Sequence, residues 1–78
     1  MHLSVEKAIV VMDAEGRRKL FNVSKGDIVK ILDKKGHFHT GCIERVFNEL
    51  IIIRNEEGKS QKIFLDRIEH IQKRGEEA

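Results

Sequence analysis

The sequence predicts an all-β fold, a small barrel of five or six antiparallel strands, and three observations carry that prediction. The apolar residues are mostly branched: Ile (10) and Val (6) outnumber Leu (5), and branched side chains suit a pleated surface better than a helix. They fall in short clusters separated by polar turns. Proline is absent, so Gly16, Gly26, Gly36, Gly41 and Gly58 supply the punctuation, at intervals that fit short strands joined by tight connections. A chain of 78 residues holds one core, and a single domain over 1–78 is expected.

The first cluster, Val5 to Met12, reads as a strand, while Val5, Ala8, Ile9 and Met12 also keep helical spacing behind Ser4 as an N-cap. Both readings fit, and the strand is preferred. Asp13-Ala14-Glu15-Gly16 is a hairpin turn whose glycine takes the positive φ that closes it. Leu20 to Val23 is the second strand, and Lys25-Gly26-Asp27 breaks the chain before the third, Ile28 to Leu32. Asp33-Lys34-Lys35-Gly36 leads into a long fourth strand, Phe38 to Phe47, where Gly41 is expected to mark a bend. Leu50 to Ile53 follows, and Asn55-Glu56-Glu57-Gly58 repeats the hairpin device before Ile63 to Leu65. Leu65-Asp66-Arg67 forms one helical turn into a last strand, Ile68 to Ile71; the competing reading caps a short helix at Asp66 and extends it to Arg74. The termini, 1–3 and 75–78, lack apolar anchors and are expected to fray.

Cys42 is the single cysteine and can form no internal disulfide, whereas a secreted domain of this size usually carries several. A cytoplasmic protein is expected. The longest apolar runs, Ala8 to Met12 and Leu50 to Ile53, fall far short of the roughly 20 residues that span a bilayer, so neither a signal peptide nor a membrane span is expected. All four aromatics are phenylalanines, and Phe21, Phe38 and Phe64 are expected in the core of so small a domain. Phe47 is the exception, because Val46 and Phe47 are neighbours in an extended chain and point to opposite faces. In Leu50 to Ile53, alternation places Leu50 and Ile52 on one face and Ile51 and Ile53 on the other. One pair fills the barrel and the second needs a cover. Ile51 and Ile53 are the expected interface residues, covered either by the N-terminal segment or by a second subunit.

Lys25-Gly26-Asp27-Ile28-Val29-Lys30-Ile31, then Gly36, Gly41, Ile43 and Val46, then Leu50 to Ile53, resembles the pattern of SH3-like small β-barrels, including KOW modules. Gly41 to Arg54, followed by Ser60-Gln61, resembles the central Sm motif of the RNA chaperone Hfq without a gap, within a likeness that runs from Ile28 to Ile71. The resemblance implies an Sm-like barrel. Glu49 stands where that family places a base-stacking aromatic, and Phe64-Leu65-Asp66 stands where it has Tyr-Lys-His. Those replacements remove a π-surface and add repulsion toward phosphate, so the Hfq type of uridine pocket is not implied. Val10 to Arg17 also resembles the hairpin of AbrB-type DNA-binding domains, without the segment that follows it there.

Net charge is +2, which excludes both a polybasic tail and an acidic disordered segment. Residues 1–40 are basic and residues 41–78 slightly acidic. Arg17, Arg18, Lys34, Lys35, His37 and Lys59 are the candidate phosphate-binding residues, because they flank turns that a small barrel can bring to one rim. His37, His39 and Cys42 form a His-x-His-x-x-Cys string, but alternation separates Cys42 from the histidines and a zinc site wants a fourth ligand; no metal site and no cofactor are expected. No catalytic constellation is present, so a non-enzyme is expected. The expected role is a small binding module with RNA or DNA as partner. The alternative is protein interaction or self-assembly through a free sheet edge and exposed aliphatic residues.

Overall fold

The computed structural model describes residues 7–74; Ser4 and the terminal segments expected to fray lie outside them. β1 (Lys7–Met12) and β2 (Arg18–Val23) form an antiparallel hairpin, with Lys7 opposite Val23 and Met12 opposite Arg18. Burial along β1 has a period of two, Ile9 and Val11 inside and Val10 and Met12 outside, which is a strand and not a helix. β3 (Ile28–Asp33), β4 (Phe38–Val46), β5 (Leu50–Arg54), β6 (Ser60–Phe64) and β7 (Ile68–Lys73) make a second antiparallel sheet, in the order β6-β5-β4-β3-β7. The expected helical turn is a 3-10 turn, Leu65–Arg67, and β7 follows it directly. Seven strands are therefore described, against the expected five or six, in two antiparallel sheets.

β4 is shared between two partners. Its first half pairs with β3, Leu32 opposite Phe38 and Ile28 opposite Cys42, and its second half pairs with β5, Cys42 opposite Arg54 and Val46 opposite Ile51. Between Ile43 and Arg45 the register with β5 shifts by one residue. Gly41 serves close approach. A Cβ there would lie 2.5 Å from the Arg54 carbonyl oxygen, so no side chain fits.

Among the described residues the buried core is branched and aliphatic throughout, which explains the composition. Ile9, Val11 and Val23 of the hairpin meet Val29, Ile31, Ile43, Ile51, Ile53, Ile63, Ile68 and Ile71 of the large sheet. Ile51 and Ile53 are completely buried, and this corrects the expectation that they form an interface. Arg54 continues the outward face of Ile52, so alternation sends Ile51 and Ile53 inward, and the inner face of the β1–β2 hairpin covers the core they belong to. Two further expectations are corrected: Phe38 (60% exposed) and Phe64 (47%) lie on the surface, and of the phenylalanines expected inside only Phe21 packs against the core. Phe64 shares its face with Lys62, two residues earlier, and Phe38 with Thr40, two residues later.

The hairpin is pinned at both ends. Lys7 Nζ donates to the Val46 carbonyl at 3.2 Å, and the Ala14 N–H donates to Glu69 Oε1 at 2.7 Å. Between them Phe21 meets the His70 ring edge-on, with centroids 5.4 Å apart. No helix among the described residues is long and apolar enough to cross a membrane.

Candidate functional site

The loop between β3 and β4 is organised by Asp33. Its Oδ1 accepts the N–H groups of Lys35 (2.8 Å) and His37 (2.9 Å), while Gly36, at φ +88°, donates to the Asp33 carbonyl. Its Oδ2 accepts from His39 Nε2 at 2.8 Å. A carboxylate only accepts, so the ring proton sits on Nε2 and Nδ1 accepts from the Gln61 amide at 3.0 Å. The His39 hydrogen bond, with the His37 backbone N–H next in weight, lowers the Asp33 carboxyl to a pKa of about 2. This chain of contacts ties β3 and β4 to β6, which has no strand partner on its outer side among the described residues. It also leaves Lys34 and Lys35 without ionic partners among the described residues.

A groove of about 570 Å³ lies between this loop and β6 with the 3-10 turn. Lys34 and Lys35 contribute from the loop, Lys62 from β6 and Arg67 from the turn; the carboxylates are Asp33, already fully engaged, and Asp66. His37 and the exposed ring of Phe64 complete the wall. The Lys34 N–H donates to the Arg67 carbonyl at 2.9 Å, which fixes the loop against the turn and so sets the width of the groove. Four permanent cations beside an exposed aromatic form the pairing that binds a phosphate and an unstacked base together.

The candidates from sequence distribute unevenly. Lys34, Lys35 and His37 line the groove. Arg17 is at the same end, because its loop and the Lys34 loop both anchor at the start of β7, through Glu69 and Arg67. Its charge is compensated, however: Nε lies 3.0 Å from Asp13 and Nη2 2.8 Å from Glu15. The Asp13 side chain is fully buried, and backbone hydrogen bonding from Arg17 leads the interactions that lower its pKa below the usual carboxylate range. Arg17 therefore builds the turn. Arg18 is exposed at the start of β2, opposite Met12. Lys59 follows the β5–β6 loop, whose Asn55 and Glu56 border a different groove, so it stands apart from this cluster.

Lys62, Phe64 and Arg67 were not among the candidates. The signal for Lys62 and Phe64 lies in the alternation of β6, where buried Ile63 assigns both to the surface, and Arg67 follows in the 3-10 turn. The His-x-His-x-x-Cys string does not converge, because His39 turns to Asp33 and Gln61 while half-buried Cys42 sits across from the outward Ile28. Among the described residues no group of three or more His, Cys, Asp and Glu side chains is placed to hold a metal ion. Comparisons with protein-family models, with characterised proteins and with solved structures find no match for this chain.

Proposed function

We propose that this protein is a non-enzymatic, cytoplasmic nucleic-acid-binding module on a small SH3-like or Sm-like barrel. The observation that carries the reading is the groove between the β3–β4 loop and β6, where Lys34, Lys35, Lys62 and Arg67 surround the exposed Phe64. The five-stranded sheet with its 3-10 turn before β7 supports the barrel part of the proposal. Phosphates pair with the cations, and each neutralised phosphate releases counterions, so affinity falls steeply with salt. Fluorescence anisotropy with labelled RNA and DNA oligonucleotides tests it. Binding is expected to weaken by at least about tenfold between 50 and 200 mM salt, and to weaken again in the Lys34→Ala, Lys35→Ala double variant. The absence of salt-sensitive binding to either polymer refutes the reading.

A second reading, self-assembly or protein interaction, is favoured by one specific observation: the outer face of the β1–β2 hairpin exposes Val10 (54%) and Leu20 (64%) directly opposite each other. Light scattering decides it. Association that disappears in Leu20→Lys supports this reading, and a monomer at all accessible concentrations refutes self-assembly.

A further inference from the structure

We propose a second nucleic-acid contact on this protein, a base-stacking platform for a single strand on the solvent face of β7, β3 and β4, centred on Phe38. The inference rests on the nucleic-acid reading above and names the form of polymer bound. Register defines the face. Leu32, Lys30 and Ile28 of β3 point outward, flanked by Phe38, Thr40 and Cys42 of β4. His70, Gln72 and Arg74 complete it on the other side, Arg74 through its N–H to the Ile28 carbonyl. None of these nine residues is acidic. Glu44, two residues beyond Cys42 on β4, lies beside this face, and its carboxylate is engaged by Arg54 and the Ser60 hydroxyl.

Phe38 stands on that face 60% exposed, and Lys30 Nζ lies over its ring at 4.5 Å from the centroid. An ammonium over one part of the ring and open π-surface beside it place a phosphate-binding charge next to a stacking partner. A shallow groove of about 610 Å³ continues from Lys30 along the foot of the same strands. Four cations line it, Lys30, Arg54, Lys73 and Arg74, against one carboxylate, Glu56. Arg54 is held by Glu44 at 2.8 Å and Lys73 lies 3.9 Å from Asp27, so Lys30 and Arg74 are the charges to which the proposal assigns phosphate. Thr40 and Gln72 flank Lys30 in register and offer donors and acceptors to base edges.

The occupant follows from this chemistry. A duplex presents its phosphates outward and its base faces to one another, so a flat sheet surface finds no base to stack. A single strand offers both phosphates and open bases. Phe38 directly follows His37 of the first groove, and the β3–β4 loop carries Lys34 and Lys35 between the two surfaces, so one strand runs from the groove across the loop onto the sheet.

Anisotropy titrations of the full chain with a labelled mixed-sequence single-stranded RNA, and with its duplex, test the platform. Phe38→Ala is expected to weaken the single strand about tenfold and to leave the duplex unchanged, while Phe38→Tyr restores single-strand binding. The ring is on the surface, so matching thermal midpoints for the three proteins establish that the fold is unaltered. Single-strand binding unchanged in Phe38→Ala, or a duplex as strongly bound and as strongly affected, overturns the proposal. The two surfaces separate cleanly. Loss in Lys34→Ala, Lys35→Ala with none in Phe38→Ala keeps the groove and removes the platform, and the opposite pattern keeps the platform and removes the groove. No binding of either polymer refutes both.

Discussion

At the scale of single residues, Asp33 does more than its position at the start of a turn suggests. It holds its own loop through two backbone N–H groups and reaches across to His39, which is in turn fixed by Gln61 of β6. Because its folded pKa is depressed to about 2 from an ordinary carboxylate value near 4, the folded state binds fewer protons than the unfolded state in that interval. The stabilisation is therefore complete above about pH 4 and is lost as pH falls toward 2. Thermal midpoints measured from pH 6 to pH 2 are expected to fall in that acid window, and Asp33→Asn is expected to lower the midpoint at pH 6 and to flatten the acid limb. An unchanged acid limb in the variant would remove Asp33 from this role. Gly41 acts by what it lacks. With the Arg54 carbonyl oxygen 2.5 Å from where a Cβ would stand, Gly41→Ala must push β5 away from β4 in the middle of the large sheet. A loss of about 1–3 kcal/mol is expected from chemical denaturation, the usual range for overpacking.

At the scale of elements, one turn recurs three times. Asp13, Asp33 and Asn55 each use Oδ1 to accept from the residues two and four positions later, and a glycine with positive φ follows at the fourth place, Gly16, Gly36 and Gly58. Asp or Asn paired with glycine at that spacing is local chemistry, which is why all three turns were legible in the sequence. Nothing crowds a Cβ at Gly58, so Gly58→Ala isolates the backbone cost of φ +80° and is expected to destabilise by about 1–2 kcal/mol in equilibrium unfolding. A neutral result would show that the turn relaxes. The phase of the strands was harder to read. Alternation divides Leu50 to Ile53 into two faces, but both faces are apolar, and only Arg54 marks which one is outside. In β6 the same information sits in Lys62 alone, and in β4 the inward positions before Ile43 are His39 and Gly41, which look no more buried than Phe38 and Thr40. Counting rings against core size therefore placed Phe38 and Phe64 inside, where Ile63 and Ile31 already fill the space.

At the scale of the whole molecule, a net charge of +2 conceals how the charges are sorted. Arg17 and Arg54 are matched by Asp13, Glu15 and Glu44, with the Ser60 hydroxyl, ahead of Arg54, helping to hold Glu44 below its ordinary pKa. Six cations without an ionic partner among the described residues lie on the two surfaces that flank the β3–β4 loop, Lys34, Lys35, Lys62 and Arg67 in the groove and Lys30 and Arg74 on the sheet, while Arg18 and Lys59 stand apart from them. The aliphatic core leaves those surfaces free, because among the described residues eleven branched side chains do the packing and no aromatic ring sits at its centre. The sorting has a measurable consequence in the salt dependence of binding. If all six cations contact phosphate on one strand, log affinity against log salt has a slope of about −4, at roughly −0.7 per phosphate for a single strand. Removing Lys34 and Lys35 together shallows that slope by about 1.4. Phe38→Ala, which takes away stacking and no charge, lowers affinity at every salt concentration and leaves the slope where it was. A wild-type slope near −1 would mean that a single cation meets the backbone, and the continuous track from groove to sheet would then be wrong.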